Sequence, residues 1–189
     1  VSKREGAIIA MNAGGFYDPD WNSNGALPHG TVFSKGQVVS DYIDANMGVG
    51  FIGFTHENKL ILGRMSKQQA INTGYRDAVE FGPYLIVNGK RSFYKGNGGW
   101  GIAPRTAIGQ RKDGIVLMLV IDGRRPGHSL GVDMVELTNI MLKYGAYNAS
   151  NLDGGGSSTI VVNGETLSVA GGSGYVGDRY LPNAWLLMP

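Results

Sequence analysis

Short apolar runs broken by two- and three-residue turn signals constrain this chain more than any other feature of it. Residues 31–34 and 37–40 flank Lys35-Gly36, 49–54 and 59–64 flank His56-Glu57-Asn58, and 83–87 runs into Asn88-Gly89. Further on, 105–110 and 115–121 flank Lys112-Asp113-Gly114, and 159–162 and 166–169 flank Asn163-Gly164. Asn-Gly and Asp-Gly tolerate the positive φ that a tight hairpin requires. Turns this short can join only antiparallel neighbours. Residues 7–11 and 184–188 add a first and a last strand, and 115–121, the most hydrophobic segment, is expected at the centre of a sheet. Two helices interrupt the series. Ser66 caps one that starts at Lys67, and Met134, Leu137, Met141 and Tyr144 form an apolar stripe over 132–144, with Gly145 after its last turn. The pattern predicts an α+β fold: a mixed, mostly antiparallel β-sheet with a small number of packed helices, in a single domain over residues 1–189.

Composition narrows what such a domain does. Glycine supplies 31 of 189 residues, roughly twice the usual share of about 7%, without a three-residue repeat that would mean collagen. A formal net charge of +2, with Lys and Arg dispersed, argues against nucleic acid as a partner. No apolar run approaches the roughly 20 residues that span a bilayer, so no membrane contact is expected of this segment. Without cysteine, disulfides and thiolate zinc sites are out. The chain opens on Val1 and enters an apolar run within a few residues. It is therefore read as trimmed from a longer protein, with a signal or anchor expected upstream.

The chemistry concentrates where apolar strands empty into polar loops. The densest such stretch is Asn151-Leu152-Asp153-Gly154-Gly155-Gly156-Ser157-Ser158-Thr159. Each glycine there costs about 0.5–1 kcal/mol relative to alanine in a regular element, and what glycines supply instead is backbone N–H close to a ligand. Asn12 ends the first strand before Ala13-Gly14-Gly15-Phe16-Tyr17, and Trp21 or Tyr17 in the loop that follows could stack on a sugar or simply pin the loop. Asp122 ends the 115–121 run just before Arg124 and Arg125, and Arg105 begins a strand directly after a glycine- and tryptophan-rich loop over 92–104. If these ends converge, carboxylates, guanidiniums and bare backbone share one cleft. Arginine's planar fork suits phosphate, and carboxylates are the usual groups of glycoside cleavage. A substrate carrying both sugar and phosphate fits that combination.

Plainer readings compete at each position. Asp-Gly is also a turn, Arg124 and Arg125 are also a solvated pair, and Glu136 lies on the helix away from its apolar stripe. The three histidines lack metal-ligand spacing, no nucleophile elbow supports a serine triad, and residues 96–101 lack the setting of a dinucleotide loop. No metal or other cofactor is expected, and no acidic run has calcium-loop spacing.

Asn12-Ala13-Gly14-Gly15-Phe16, Arg105-Thr106-Ala107-Ile108-Gly109, Asp122-Gly123-Arg124 and the 151–159 stretch occur in an order and spacing that resembles the phosphodiester glycosidase family, which includes the lysosomal uncovering enzyme. The likeness covers nearly the whole chain. It implies hydrolysis of the bond between a sugar's anomeric carbon and a phosphodiester oxygen, on a bacterial surface or exopolysaccharide-type glycan outside the cell. By resemblance, the helix with Glu136 matches the family's Glu-containing helix and Arg179 its late arginine, and a calcium ion near the acidic loops is allowed though no spacing motif supports it. The implied catalytic carboxylates are Asp153, Asp122 and Glu136. The implied phosphate and substrate contacts are Arg105, Thr106, Arg124, Arg179, Asn12, Gly154, Gly155, Gly156 and Ser157. Gly15 stands where the family often has phenylalanine, and the loop with Trp21, Asn22, Asn24 and His29 has no counterpart. A non-catalytic carbohydrate-binding or surface-interaction module, or a metal-dependent phosphatase-like hydrolase, remains the alternative.

Overall fold

The computed structural model describes residues 1–18, 23, 25–42, 50–93, 95–96, 99–169 and 179–189. Trp21, Asn22 and Asn24 lie outside the described residues, as do parts of the 92–104 loop. Fourteen strands and three helices are described. A four-residue helix α1 (Ser2–Glu5) precedes β1 (Ile9–Asn12), β2 (Gly30–Ser34), β3 (Gln37–Tyr42), β4 (Gly50–Thr55) and β5 (Leu60–Gly63). Helix α2 (Lys67–Thr73) leads to β6 (Tyr75–Phe81), β7 (Tyr84–Val87), β8 (Lys90–Arg91), β9 (Arg105–Arg111) and β10 (Val116–Ile121). Helix α3 (Met134–Lys143), β11 (Ala146–Asn151), β12 (Ile160–Val162), β13 (Glu165–Thr166) and β14 (Ala184–Leu187) complete the chain.

The strands form three sheets, ordered β3-β2-β6-β4-β5, β10-β9-β11-β7-β8 and β13-β12-β1-β14, and every ladder is antiparallel. The antiparallel α+β prediction is met. Side-chain alternation divides the interior. Ile52, Phe54, Val79, Phe81 and Ile108 face a central core with Met11, Leu152 and Trp185. Their neighbours Phe51 and Ala78 face Ala70 of α2, and Ala107 faces Met134, Leu137 and Met141 of α3. Each five-stranded sheet thus has a helix on one face and the central core on the other. Both long helices start in a capping box, Ser66 with Gln69 and Asp133 with Glu136, which satisfies backbone donors that a helix start leaves open.

The structure corrects two expectations and adds two strands that no sequence prediction covered. The 115–121 run forms β10, which is an edge strand. Its apolar residues alternate between two packed faces, with Leu117, Leu119 and Ile121 toward α3 and Met118 and Val120 toward the central core. A continuous apolar run records two covered faces and says nothing about lateral position. The middle strand of that sheet is instead β11, whose Asn148, Ser150 and Asn151 disguise it. Asn148 accepts from the Asn88 N–H at 2.8 Å and donates to the Leu60 carbonyl at 3.2 Å. Strand β6, between β2 and β4, has no counterpart among the sequence predictions, because Arg76, Asp77 and Glu80 break its apolar pattern. Glu80 accepts the Thr31 N–H at 2.6 Å and Asp77 the Lys35 N–H at 3.0 Å, so its carboxylates serve the neighbouring β2–β3 hairpin. Finally, Tyr144 is 57% exposed and leaves the α3 stripe to Met134, Leu137 and Met141, with Thr138 also buried.

Close approach between β4 and β6 requires glycine at position 53. A Cβ there would stand 2.6 Å from the Asp77 carbonyl oxygen. Gly53→Ala is expected to lower stability by about 1–3 kcal/mol, the usual cost of overpacking, read as a reduced urea midpoint at unchanged m-value.

Candidate active site

Three strand ends meet around the amide of Asn12, which is almost fully buried. Its Nδ2 donates to the Asp153 carbonyl at 2.7 Å, and its Oδ1 accepts from the Thr106 hydroxyl at 2.8 Å and the Thr159 N–H at 3.0 Å. Asn12 and Thr106, named above as substrate contacts, therefore fasten β1 and β9 to the two ends of the glycine loop. Backbone bonds reinforce the knot: Leu152 N–H to Thr106, Asp153 N–H to Ala13 and Gly155 N–H to Pro104 carbonyls, at 2.8, 3.0 and 2.9 Å. Of the strand ends expected to converge, those of Asn12, Arg105 and Asp153 with its glycines meet here.

Within the knot Gly155 has φ +59°, in the short helical turn Gly155–Ser157. The Asp153 carboxyl is held by the Ser157 hydroxyl and the Gly154 N–H, with Arg179 and Asp18 in electrostatic range. Burial is the largest influence on it and pushes its pKa up to about 6, against the hydrogen bonds and Arg179, which favour the charge. The N–H groups of Gly154 and Gly155 and the Ser157 hydroxyl, expected to cradle phosphate, are thus engaged within the protein.

A strong anion-attracting feature lies beside them. Arg105 is 4% exposed. Its Nη2 donates to the Trp100 and Gly101 carbonyls at 2.8 and 2.6 Å and its Nε to the Val132 carbonyl at 3.2 Å. Its Nη1 faces the glycine loop, 3.8 Å from where a Cβ on Gly154 would stand. Among the described residues Arg105 makes no ion pair. Its pKa is lowered by burial first and then by the like charge of Arg124, with Asp133 opposing. Arg124, itself at φ +56° and exposed, brings its Nη2 to 3.3 Å from the Cβ position of Gly155. Two guanidiniums set against glycine backbone, one of them buried with carbonyls alone as partners among the described residues, make a place for an anion.

The other proposed groups are elsewhere engaged. Asp122 accepts the Val169 N–H at 2.9 Å with one oxygen and lies 2.8 Å from His128 Nε2 with the other. The Glu136 carboxylate closes the α3 capping box on the Asp133 N–H at 3.2 Å, on an exposed part of the helix. The helical spacing that placed Glu136 off the apolar stripe already pointed to that location. Arg179 pairs with Asp18 at 2.5 Å and stacks over the Phe16 ring, 4.7 Å from its centroid. Asp18 was missed because an aspartate in a loop rich in Asp, Asn and Gly reads as turn chemistry; its position two residues after Phe16 was the available signal.

Gly155→Ala tests how closely Arg124 depends on this backbone. The left-handed φ makes a side chain costly by about 1–2 kcal/mol, and the new methyl would press on the guanidinium. A dissociation constant for inorganic phosphate raised roughly tenfold, equivalent to about 1.4 kcal/mol, is expected together with a lowered Tm.

A glycine loop with one buried and one exposed guanidinium against it, beside a partly buried carboxyl, forms the candidate site on an antiparallel α+β scaffold. The phosphodiester glycosidase family profile matches residues 5–188, and the chain belongs to that family. It is 30% identical over 180 residues to an uncharacterized SPbeta prophage-derived protein of Bacillus subtilis, covering 89% of this chain and 26% of that protein. It is 37% identical over 84 residues to bovine N-acetylglucosamine-1-phosphodiester alpha-N-acetylglucosaminidase, covering 44% of this chain and 14% of that enzyme. The fold is shared with the zebrafish catalytic domain of that enzyme type, auto-inhibited by its pro-peptide, at TM-score 0.78 and 21% identity over 100% of this chain and 65% of that one. A putative exported protein of Burkholderia pseudomallei superposes at TM-score 0.65 and 18% identity, over 100% of this chain and 67% of that one. The chain spans about a quarter of the prophage protein's length and about a seventh of the bovine enzyme's.

Proposed function

We propose that this chain hydrolyses a glycosyl phosphodiester between the anomeric carbon and the phosphate oxygen, on a bacterial surface or exopolysaccharide-type glycan outside the cell. The observation that carries the reading is Arg105, a buried guanidinium bonded, among the described residues, to backbone carbonyls alone and set with Arg124 against the glycine loop. In this reading Arg105 Nη1 and Arg124 hold the phosphate oxygens. The phosphate monoester expelled from the diester leaves as a stabilised anion, so its departure needs charge stabilisation more than a proton donor. Asp153 then works at the anomeric side, as the base that takes a proton from water or as the carboxylate that attacks the carbon. Asn12 and Thr106 fix the loop that carries it, and Ser157 and Gly154 hold its oxygens. Asp122 and Glu136, engaged in the loop after β10 and in the α3 cap, take no step.

One assay decides among the readings. An alkyl sugar-1-phosphodiester is incubated with the protein, with and without chelator, and both reducing sugar and inorganic phosphate are measured. Release of reducing sugar and an alkyl phosphate supports the proposal. Saturable glycan binding without product would make this a carbohydrate-binding module, and chelator-sensitive release of inorganic phosphate from a monoester would make it a phosphatase-like hydrolase.

A further inference from the structure

Arg179 and Asp18 come from opposite ends of the chain and meet beside Asp153. The Asp18 side chain is 13% exposed and that of Arg179 17%, with 2.5 Å between Oδ2 and Nη2. The other Asp18 oxygen accepts the Ser23 N–H at 2.8 Å. Phe16, two residues before Asp18, carries the guanidinium on its ring. The segment behind Arg179 is anchored too, since Asn183 accepts the Gly14 N–H at 2.8 Å. This is a built arrangement: one guanidinium clamped by a carboxylate, an aromatic face and a tied loop.

We infer that Asp18 is a positioning residue of the reaction centre, which clamps Arg179 beside Asp153 and cancels its charge there. The inference rests on the role given to Asp153 above and adds a residue that role did not include. Two consequences follow from charge alone. Arg179 is withheld from the phosphate, which leaves Arg105 and Arg124 as the anion pair. Asp153 experiences a neutral pair where an isolated arginine would hold it ionised. Among the described residues the charged groups acting on the Asp153 carboxyl are Arg179 and Asp18, with Arg105 and Arg124 near Gly154 and Gly155 of the same loop. Burial and the Asp18 charge raise its pKa while Arg179 lowers it.

The test is a charge cycle read in two ways on the intact protein: carbon-13 NMR titration of the Asp153 carboxyl, and the pH dependence of kcat/KM on an alkyl sugar-1-phosphodiester. Asp18→Asn turns the neutral pair into a net positive one, and the Asp153 titration is expected to move to lower pH by roughly 0.5–1 unit. Arg179→Gln makes the pair net negative and is expected to move it upward by a similar amount. The double variant is neutral again and is expected to return near the parent value, and Asp18→Glu is expected to restore the parent profile. A purely structural Asp18 would lower Tm in Asp18→Asn and leave both curves in place, which overturns the inference. So would an upward shift in that variant. Should Asp18→Asn not fold, the upward shift in Arg179→Gln decides alone: its presence supports the pair and its absence overturns it. The NMR arm needs no turnover. Shifts in NMR from a protein that hydrolyses nothing sink the proposed activity and keep the pair; turnover with unmoved titrations does the reverse.

Discussion

Asp153→Asn is expected to abolish turnover of a sugar-1-phosphodiester while making the protein more stable at neutral pH. The two effects share one cause. The folded-state pKa of Asp153 is about 6 against an ordinary 3.8, with burial as the leading influence. Between those values the folded chain holds a proton that the unfolded chain has released. Stability therefore falls as pH rises from about 4 to about 6, and the loss persists above that. Roughly two units at 1.36 kcal/mol each set a ceiling of about 3 kcal/mol. Partial exposure of the residue screens some of this, so a gain of about 1–3 kcal/mol is expected for the asparagine variant at pH 8, shrinking toward zero below pH 4. Urea melts at the two pH values check it. Loss of the carboxylate should lower kcat by at least about a hundredfold, the scale of general acid–base assistance. In the parent protein kcat/KM should rise with pH through about 6, because both the base and the nucleophile role need Asp153 ionised. Undiminished turnover in Asp153→Asn removes the residue from the mechanism.

The second large effect concerns Arg105. Arg105→Met keeps the bulk of the side chain but removes the charge facing Arg124 and the donors to Trp100, Gly101 and Val132. A loss of kcat/KM of about 10²–10³ is expected, as for removal of a donor aimed at developing negative charge. A binding measurement separates this from a folding defect. Inorganic phosphate at about 100 times its dissociation constant should stabilise the parent protein by about 2.7 kcal/mol through linkage. The same concentration should do little for Arg105→Met. Arg105→Lys is expected to resemble the methionine variant, because one ammonium cannot bond three carbonyls and an anion in the directions a guanidinium reaches. A variant with unaltered phosphate protection would remove Arg105 from the anion site and with it the main support for the proposed substrate.

How much of this was legible beforehand varies with the range of the interaction concerned. The hairpins and both long helices were readable, because turns such as Asn88-Gly89 and caps such as Ser66 depend on neighbours within a few residues. The candidate loop was readable too, since Asp153 followed by three glycines is hard to explain by packing. Strand order was not. Strand β10 lies at an edge despite the most apolar sequence, and β11 lies in the middle despite its asparagines and serines, because lateral position depends on partners far along the chain.

The same division runs through the site. By itself the sequence determined which residue types gather at strand ends, and that a carboxylate, guanidiniums and bare glycine backbone would be among them. Only the tertiary structure decided which of those groups are left for chemistry. It engages Asn12, Thr106, Asp122, Glu136 and Ser157 in hydrogen bonds, pairs Arg179 with Asp18, and leaves Arg105 buried without a carboxylate partner among the described residues. The reason is physical: a polar side chain's free valences are settled by whatever the fold places within about 3 Å of it. For Asn12 and Thr106, Asp18 and Arg179, those partners lie 94 and 161 residues away in sequence.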